Sequence, residues 1–394
     1  MMTDKNCVVI ELGNQFTKIG FVHDPAPRAI VRTKFYSDKL GKEVYLMVDQ
    51  RDCVDHNGGT LGDEELTNKL KLFIQNLYFQ YLGINSKERR VVLVEPLFLS
   101  NKIKKILIDI FFNHLEVPSL AFVPSHLMSL VPCLISTGIV IDSGYTETLV
   151  IPIVDGETLL SSVQYARLGG QEINKCIREE LFQRKAKIKI GSVEREFNES
   201  DDLSENIIEN IKVKTCFVAP FERGQMMASF KSSVGPEPSE CPPDVKFHLD
   251  GSKNLTIPGS LRESVAEILF KNYGEEQSVP SMVLDLLLSC PIDSRRTLAS
   301  NIIVIGGTAM LPGFHHRLEE EMEYLKSTEA RYSKLATIEF LFHKLLCKEN
   351  YASWLGASIQ GSLDAVNRAS TNKESLQQSG GDSFEDWSGW WPKI

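Results

Sequence analysis

The stretch that decides the fold is Val8-Val9-Ile10-Glu11-Leu12-Gly13-Asn14-Gln15-Phe16-Thr17-Lys18, an apolar run that ends in a carboxylate and a glycine turn. Residues 138–148 (GIVIDSGYTET) and 301–313 (NIIVIGGTAMLPG) repeat the pattern of an apolar run followed by glycine. A β-branched apolar run is typical of a buried strand. Glycine directly after the strand permits a tight turn whose backbone N–H groups can face a phosphate.

The first two turns also carry carboxylates, Glu11 and Asp142. Two such turns, far apart in the chain, could hold one magnesium–nucleotide complex from opposite sides. Mg²⁺ is held by few carboxylates and keeps most of its waters, so these two residues are the candidate metal ligands. A single glycine after a strand is usually only a turn, and the argument therefore depends on three segments occurring in one chain.

In this order, the three segments resemble the phosphate-1, phosphate-2 and adenosine motifs of the actin fold. Four further stretches support the resemblance: APRA at 26–29, TCFVA at 215–219, CPIDSRR at 290–296 and WLGASI at 354–359. The resemblance covers about residues 6–375 and is specific to the actin-related proteins. It implies an α/β fold of the actin, heat-shock-chaperone and hexokinase kind, with two lobes. Each lobe would have a duplicated RNase-H-like core, and a nucleotide cleft would lie between them.

The bulk properties exclude several classes of protein. A chain of 394 residues is long enough for two lobes, and its 42% hydrophobic content is that of a globular protein. A net charge of −9 disfavours partners such as nucleic acid or an acidic membrane surface. The start of the chain has no apolar leader, and the eight cysteines form no CxxC pair, so we expect a soluble, cytoplasmic protein with reduced thiols.

The resemblance also sets expected boundaries. The first lobe would comprise residues 1–128 and 330–370, and the second would comprise residues 129–329. Proline and serine at 224–260 predict an exposed loop or insertion in the second lobe. The polar tail, 371–394, contains three tryptophans, which would pack either on the protein itself or on a partner.

Helical periodicity predicts helices at 63–82, 102–115 and 351–367, and the last of these would return to the first lobe. The segments at 6–13 and 17–22 predict a hairpin that carries the first glycine turn. Residues 91–94 predict a buried strand.

The implied cofactor is ATP or ADP with Mg²⁺, in a structural role. By the resemblance, the residues that bind it are Gly13, Asn14, Gln15, Phe16, Lys18, Gly144, Tyr145, Thr146, Gly170, Lys212, Gly306, Gly307, Thr308 and Met310. Lys18 would point at the β-phosphate, Gly170 would lie beside the nucleotide, and Lys212 would lie at the ribose and adenine.

Several positions depart from the actin pattern. Glu11 replaces an aspartate, and Tyr145-Thr146 replace the Asp-Gly of the second turn. The residues that position the attacking water, a glutamine and a histidine, are replaced by Ser125 and Leu149. Val213 and Asn350 replace a ribose-contacting glutamate and an adenine-side lysine. We therefore expect nucleotide binding without efficient hydrolysis, and we assign no catalytic residue.

Actin subunits join head to tail, so a subunit that lacks one of its two ends would terminate a filament. The interval from Glu11 to Asp142 is shorter than in actin, and residues 33–62 lack actin's hydrophobic loop. Among the actin-related proteins, the chain most resembles the pointed-end subunit of dynactin. This implies a non-catalytic cap that contacts actin-like filament subunits and pointed-end subunits, and that serves dynein and microtubule-based transport.

Two alternatives remain open at this point. An actin-related scaffold of a nuclear chromatin-remodelling complex would also lose hydrolysis and bind partners through insertions. A small-molecule kinase of the same superfamily would need an intact loop for the γ-phosphate at Tyr145-Thr146.

Overall fold

The computed structural model describes residues 7–37, 42–45, 62–198, 203–231, 241–251, 253–271, 277–361, 363, 366 and 370–378. The chain divides into two compact units. Unit 1 comprises Met1–Val140, Ile153–Thr158 and His343–Ile394, and unit 2 comprises Ile141–Pro152 and Leu159–Phe342. The tryptophans of the tail and all of residues 46–61 lie outside the described residues.

The strands of the described part are β1 Val8–Glu11, β2 Phe16–Phe21, β3 Ala29–Arg32, β4 Lys34–Ser37, β5 Lys42–Tyr45, β6 Val91–Glu95, β7 Leu120–Pro124, β8 Gly138–Ser143, β9 Thr148–Val154, β10 Glu157–Thr158, β11 Gln164–Ala166, β12 Lys187–Ile190, β13 Val193–Glu196, β14 Val245–Asp250, β15 Lys253–Ile257 and β16 Ile302–Ile305.

The α-helices of the described part are α1 Asp63–Asn76, α2 Asn101–Asp109, α3 Ser125–Leu130, α4 Gly170–Gln183, α5 Glu205–Thr215, α6 Phe221–Lys231, α7 Gly259–Ser264, α8 Val279–Ser289, α9 Ile292–Ala299, α10 Phe314–Thr328, α11 Ala352–Gln360 and α12 Lys373–Gln378. The π-helical segments Leu77–Leu82 and Ile110–His114 continue α1 and α2, so the helices expected at 63–82 and 102–115 are confirmed.

Unit 1 is built on a sheet with the strand order β3-β2-β1-β6-β7. The predicted hairpin is confirmed, because β1 and β2 pair antiparallel with Glu11 opposite Lys18. β1 then pairs parallel with β6, and β6 pairs parallel with β7. The valines of β6 are buried, as expected for the apolar run at 91–94.

Helices cover this sheet through apolar stripes. Leu66, Leu70 and Ile74 recur at four-residue spacing along α1 and are buried in the core of unit 1. The expected return of the last helix to the first lobe is also confirmed. In α11, Trp354 is fully buried, and its Nε1 donates a hydrogen bond to the Val9 carbonyl oxygen at 3.1 Å.

The second five-stranded sheet has the order β10-β9-β8-β16, with β11 also paired to β9. In both sheets, a strand, a glycine turn and a second strand lie next to a strand from later in the chain. This duplicated plan is the α/β architecture that the resemblance implies, and the expected fold class is confirmed. In unit 2, Met282, Val283 and Leu286 of α8 are buried.

Much of the stretch 224–260, expected to be an exposed loop or insertion, is regular secondary structure. Residues 224–231 belong to α6, and β14 and β15 form an antiparallel hairpin within a four-stranded sheet of order β13-β12-β15-β14. Leu255 and Ile257 of β15 are buried. Four of the five prolines of this stretch lie at 236–243, and alternating apolar residues then follow Pro243 and specify a half-buried strand. Residues 232–240 lie outside the described part of the chain.

Candidate functional site

The first glycine turn joins β1 and β2 and carries a close ion pair. Lys18 Nζ lies 2.6 Å from Glu11 Oε1, and the two side chains are 12% and 15% exposed. The other carboxylate oxygen, Glu11 Oε2, is buried and has no hydrogen-bond partner in the described part of the chain. A buried, unsatisfied carboxylate oxygen is suited to a water or a hydrated cation.

The backbone of this turn is closely folded. A Cβ placed on Gly13 would lie 2.7 Å from the Phe16 carbonyl oxygen, so only glycine fits there without a shift. The Gln15 side chain is buried, and the Gln15 backbone carbonyl oxygen accepts a hydrogen bond from the Thr33 N–H at 2.9 Å. This hydrogen bond ties the turn to the residue that follows β3.

The second glycine turn is closed by a hydrogen bond from the Gly144 N–H to the Glu147 carbonyl oxygen at 2.9 Å, with Tyr145 and Thr146 at its centre. The Gly144 carbonyl oxygen accepts hydrogen bonds from the Gly170 N–H at 3.1 Å and from Thr308 Oγ1 at 2.6 Å. Residues far apart in sequence therefore meet at one turn of unit 2.

The third motif packs directly on the second. Gly306 has φ of +101°, and a Cβ there would lie 2.1 Å from the Ser143 carbonyl oxygen and 2.9 Å from Asp142 Oδ1. A Cβ on Gly307 would meet no heavy atom within 4 Å. Met310 is 39% exposed. Gly306 is therefore needed for close packing, whereas a side chain at Gly307 would project into open space.

Tyr145 and Lys212 lie over Gly170 at the start of α4. A Cβ on Gly170 would lie 2.7 Å from Lys212 Nζ and 3.3 Å from Tyr145 Cδ2. Lys212 Nζ donates to Glu209 Oε2 at 2.6 Å and to the Gly170 carbonyl oxygen at 3.2 Å. Lys212 and Tyr145 therefore lie against the face of Gly170 from which a side chain would project.

The Tyr145 hydroxyl donates a hydrogen bond to Glu205 Oε1 at 2.9 Å. Arg178 Nη2 and Asn174 Nδ2 donate to the same carboxylate. Burial raises the pKa of Glu205, but these hydrogen bonds together hold it below its ordinary value. Glu205 is therefore a charged anchor for Tyr145. We call Tyr145, Gly170, Glu205, Glu209 and Lys212 the Tyr145 cluster.

Sequence reasoning missed both acids of this cluster. A signal existed for Glu209, because it lies three positions before Lys212, a spacing that brings side chains together on a helix such as α5. Glu205 gave no such signal, since its partner Tyr145 is 60 positions away. The sequence did predict Gly144, Gly170, Lys212, Gly306 and Thr308, and the structure brings these residues together in unit 2.

The positions that depart from actin's water-positioning and nucleotide-contacting groups all lie in the part of the chain that the structure describes. Leu149 lies in β9 and is 6% exposed, and Ser125 is the first residue of α3. Val213 is 65% exposed. Asn350 has a buried Oδ1 with no partner among the described residues. Leucine and valine have no polar atom with which to orient a water or bind a hydroxyl.

The fit to a magnesium–nucleotide complex differs between the two units. Glu11, with its free buried oxygen, fits a hydrated Mg²⁺ in unit 1. In unit 2, Tyr145 and Lys212 lie against Gly170, and the Lys212 ammonium is already paired with Glu209. Among the described residues there is no group of three or more His, Cys, Asp or Glu side chains that could hold a metal ion. That Glu11 and Asp142 serve one bound nucleotide stays a prediction.

Comparison with known proteins identifies the family to which the chain belongs. The Actin family model matches residues 2–386, so the chain belongs to the actin family. The chain is also similar to the protein named Actin-related protein 10 of Dictyostelium discoideum. The two are 25% identical over an alignment of 411 positions, which covers 91% of this chain and 83% of that protein.

Within the described residues, no helix is both long enough and apolar enough to cross a bilayer.

Proposed function

We propose that this protein is a non-catalytic, actin-related subunit that caps the pointed end of a dynactin filament in the cytoplasm. It would contact actin-like filament subunits on one side and pointed-end subunits on the other, and it would serve dynein-driven transport along microtubules. The observation that carries the proposal is the similarity to Actin-related protein 10 over 91% of the chain.

The short interval between the first two motifs supports a terminating role. A subunit of an open filament needs two different complementary ends, and removing one of them stops growth. The stretch that is short relative to actin falls in residues 33–62. Its described part includes a two-stranded hairpin, in which Lys34–Ser37 pairs with Lys42–Tyr45.

The replaced residues of the nucleotide motifs support a role without catalysis. Hydrolysis needs a group that orients the attacking water. Leu149 is a buried apolar residue of β9, at the position where actin has such a group. A cap needs a stable fold and a complementary surface, and neither requires turnover of ATP.

The proposal is tested by purification of the tagged full-length chain from cytosol at physiological salt, followed by mass spectrometry. We expect actin-like filament subunits together with dynactin's shoulder and pointed-end subunits. Recovery of chromatin-remodelling subunits, or of no partner, would overturn the proposal. Phosphoryl transfer to a small molecule by the purified chain would favour the kinase alternative instead.

A second experiment tests termination directly. Purified chain is added to short filaments of the actin-like subunit, and growth at each end is followed by fluorescence microscopy. We expect growth to stop at the pointed end only. A chimera in which an actin loop replaces residues 38–61 should permit growth again. A control variant, in which a Gly/Ser linker of equal length replaces residues 232–240, should still cap.

A further inference from the structure

The Tyr145 cluster closes the start of α4 in a way that the motifs do not suggest. The N–H groups at a helix start are open donors that commonly meet an anion. Here the Gly170 N–H donates to the Gly144 carbonyl oxygen at 3.1 Å, and the Gln171 N–H donates to the Tyr145 carbonyl oxygen at 2.7 Å. The second glycine turn therefore occupies these donors.

Tyr145 is held both at its backbone and at its side-chain hydroxyl. Its backbone abuts Gly169, where a Cβ would lie 2.5 Å from the Tyr145 carbonyl oxygen. Its hydroxyl is bound to Glu205, and the whole residue is only 8% exposed. Glu205 is in turn held by Arg178 on α4, whose Nη2 lies 2.9 Å from Glu205 Oε2. Displacing the ring requires breaking a hydrogen bond to a charged carboxylate.

Lys212 is held in a similar way. Its ammonium lies between Glu209 Oε2 and the Gly170 carbonyl oxygen, and the side chains of Lys212 and Glu209 are 6% and 8% exposed. It also lies over the Tyr145 ring, 5.7 Å from the ring centre. A buried ammonium that is paired with a carboxylate is poorly available to an anionic ligand.

We propose that Tyr145 and Lys212 form a latch that closes the unit 2 part of the nucleotide site, and that Glu205 and Glu209 hold this latch shut. A nucleoside diphosphate must displace the latch to lie beside Gly170. The apparent affinity is then reduced by the fraction of molecules in which the latch is open. This inference goes beyond the capping role, which requires no turnover of ATP.

The test is calorimetric titration of the full-length chain with Mg-ADP. Tyr145→Phe removes only the hydroxyl that binds Glu205, and Glu209→Gln removes the charge that holds Lys212. We expect each variant to bind about tenfold more tightly than the natural chain, which is the effect of losing one hydrogen bond to a charged group. Tyr324→Phe and Glu194→Gln are the matched controls, because both residues are exposed in unit 2, and they should bind as the natural chain does.

Thermal unfolding without ligand first establishes that each variant is folded. If Glu209→Gln does not fold, the binding of Tyr145→Phe tests the latch alone. This variant keeps the aromatic ring and its packing, and we expect it to fold. Tighter binding by a folded latch variant, with unchanged controls, supports the latch. Equal or weaker binding by the folded latch variants overturns it, and so does a lack of binding by every form. Filament capping is measured separately, so failure of one proposal is distinguishable from failure of the other.

Discussion

Glu11 and Lys18 face each other across the first hairpin, with Lys18 Nζ 2.6 Å from Glu11 Oε1. The strand register places them opposite one another, and the surrounding core leaves both side chains mostly buried. Since Glu11 Oε2 has no partner among the described residues, the lysine is the group that compensates this carboxylate. The pair therefore stabilises the fold whether or not a ligand is present.

Lys18→Met should destabilise the protein by about 2 kcal/mol, because it leaves a mostly buried carboxylate without its counter-charge. Urea unfolding measures the change. The double variant Lys18→Met with Glu11→Gln should recover most of the loss, since neither charge then remains. The exposed pair of Lys102 with Asp63 is the control, and Lys102→Met should cost about 0–1 kcal/mol. A Lys18→Met variant as stable as the natural chain would contradict the argument.

The neighbouring glycines Gly306 and Gly307 should differ in how much an alanine substitution destabilises the protein. Gly306→Ala should destabilise the protein by about 3 kcal/mol, because φ there is +101° and the new Cβ would overlap the Ser143 carbonyl oxygen. Gly307→Ala meets no heavy atom within 4 Å and should change the unfolding free energy by less than about 1 kcal/mol. Thermal and urea unfolding of the two variants check this difference. Equal effects of the two substitutions would refute the packing described for Gly306.

His126 makes stability depend on pH. It is buried in unit 1 with Nε2 2.9 Å from Thr158 Oγ1, and burial lowers its pKa to about 4 from an ordinary value of 6.5. Between these values the unfolded chain binds a proton that the folded chain does not, so stability falls as the pH falls from 6.5 to 4. The loss due to this residue should be about 3 kcal/mol.

The measurement is urea unfolding of the natural chain and of His126→Gln at several pH values between 4 and 7.5. The variant should lose less stability than the natural chain as the pH falls through this window. His316, whose side chain is 75% exposed in unit 2, provides the control, and His316→Gln should keep the natural slope. Parallel curves for His126→Gln and the natural chain would rule out a role for His126.

A buried arginine joins three segments of unit 2. Arg317 is 1% exposed and donates to both oxygens of Glu267, to Glu321 Oε1 and to the Ala219 carbonyl oxygen. Arg317→Met should destabilise the protein by about 3–5 kcal/mol, because Glu321 and Glu267 both lose the arginine that pairs with them. Among the described residues, Glu267 then keeps only Lys271 as an ion-pair partner. Arg331→Met, at a side chain that is 46% exposed, should cost about 0–1 kcal/mol in the same unfolding assay. Similar losses from both substitutions would contradict this account.

The local elements were predictable because they depend on nearby residues. The hairpin at Glu11 and Lys18 follows from an apolar run and a glycine turn, and α1 follows from leucines at helical spacing. The hairpin of β14 and β15 was missed because prolines earlier in the same stretch outweighed a short alternating pattern. Composition averaged over a long stretch hides a strand of five or six residues.

The sequence by itself determined the α/β class, the three glycine turns and the residues that depart from the actin pattern. Residue type and spacing determine these features through backbone sterics and the burial of apolar faces. Tertiary structure alone decided that Tyr145 binds Glu205, that Lys212 reaches the Gly170 carbonyl oxygen, and that Trp354 donates to the Val9 carbonyl oxygen. The Tyr145 and Trp354 contacts join residues 60 and 345 positions apart, a distance over which local spacing carries no information. Only packing of the completed units selects such partners, because a buried polar group must find its partner wherever the fold places one.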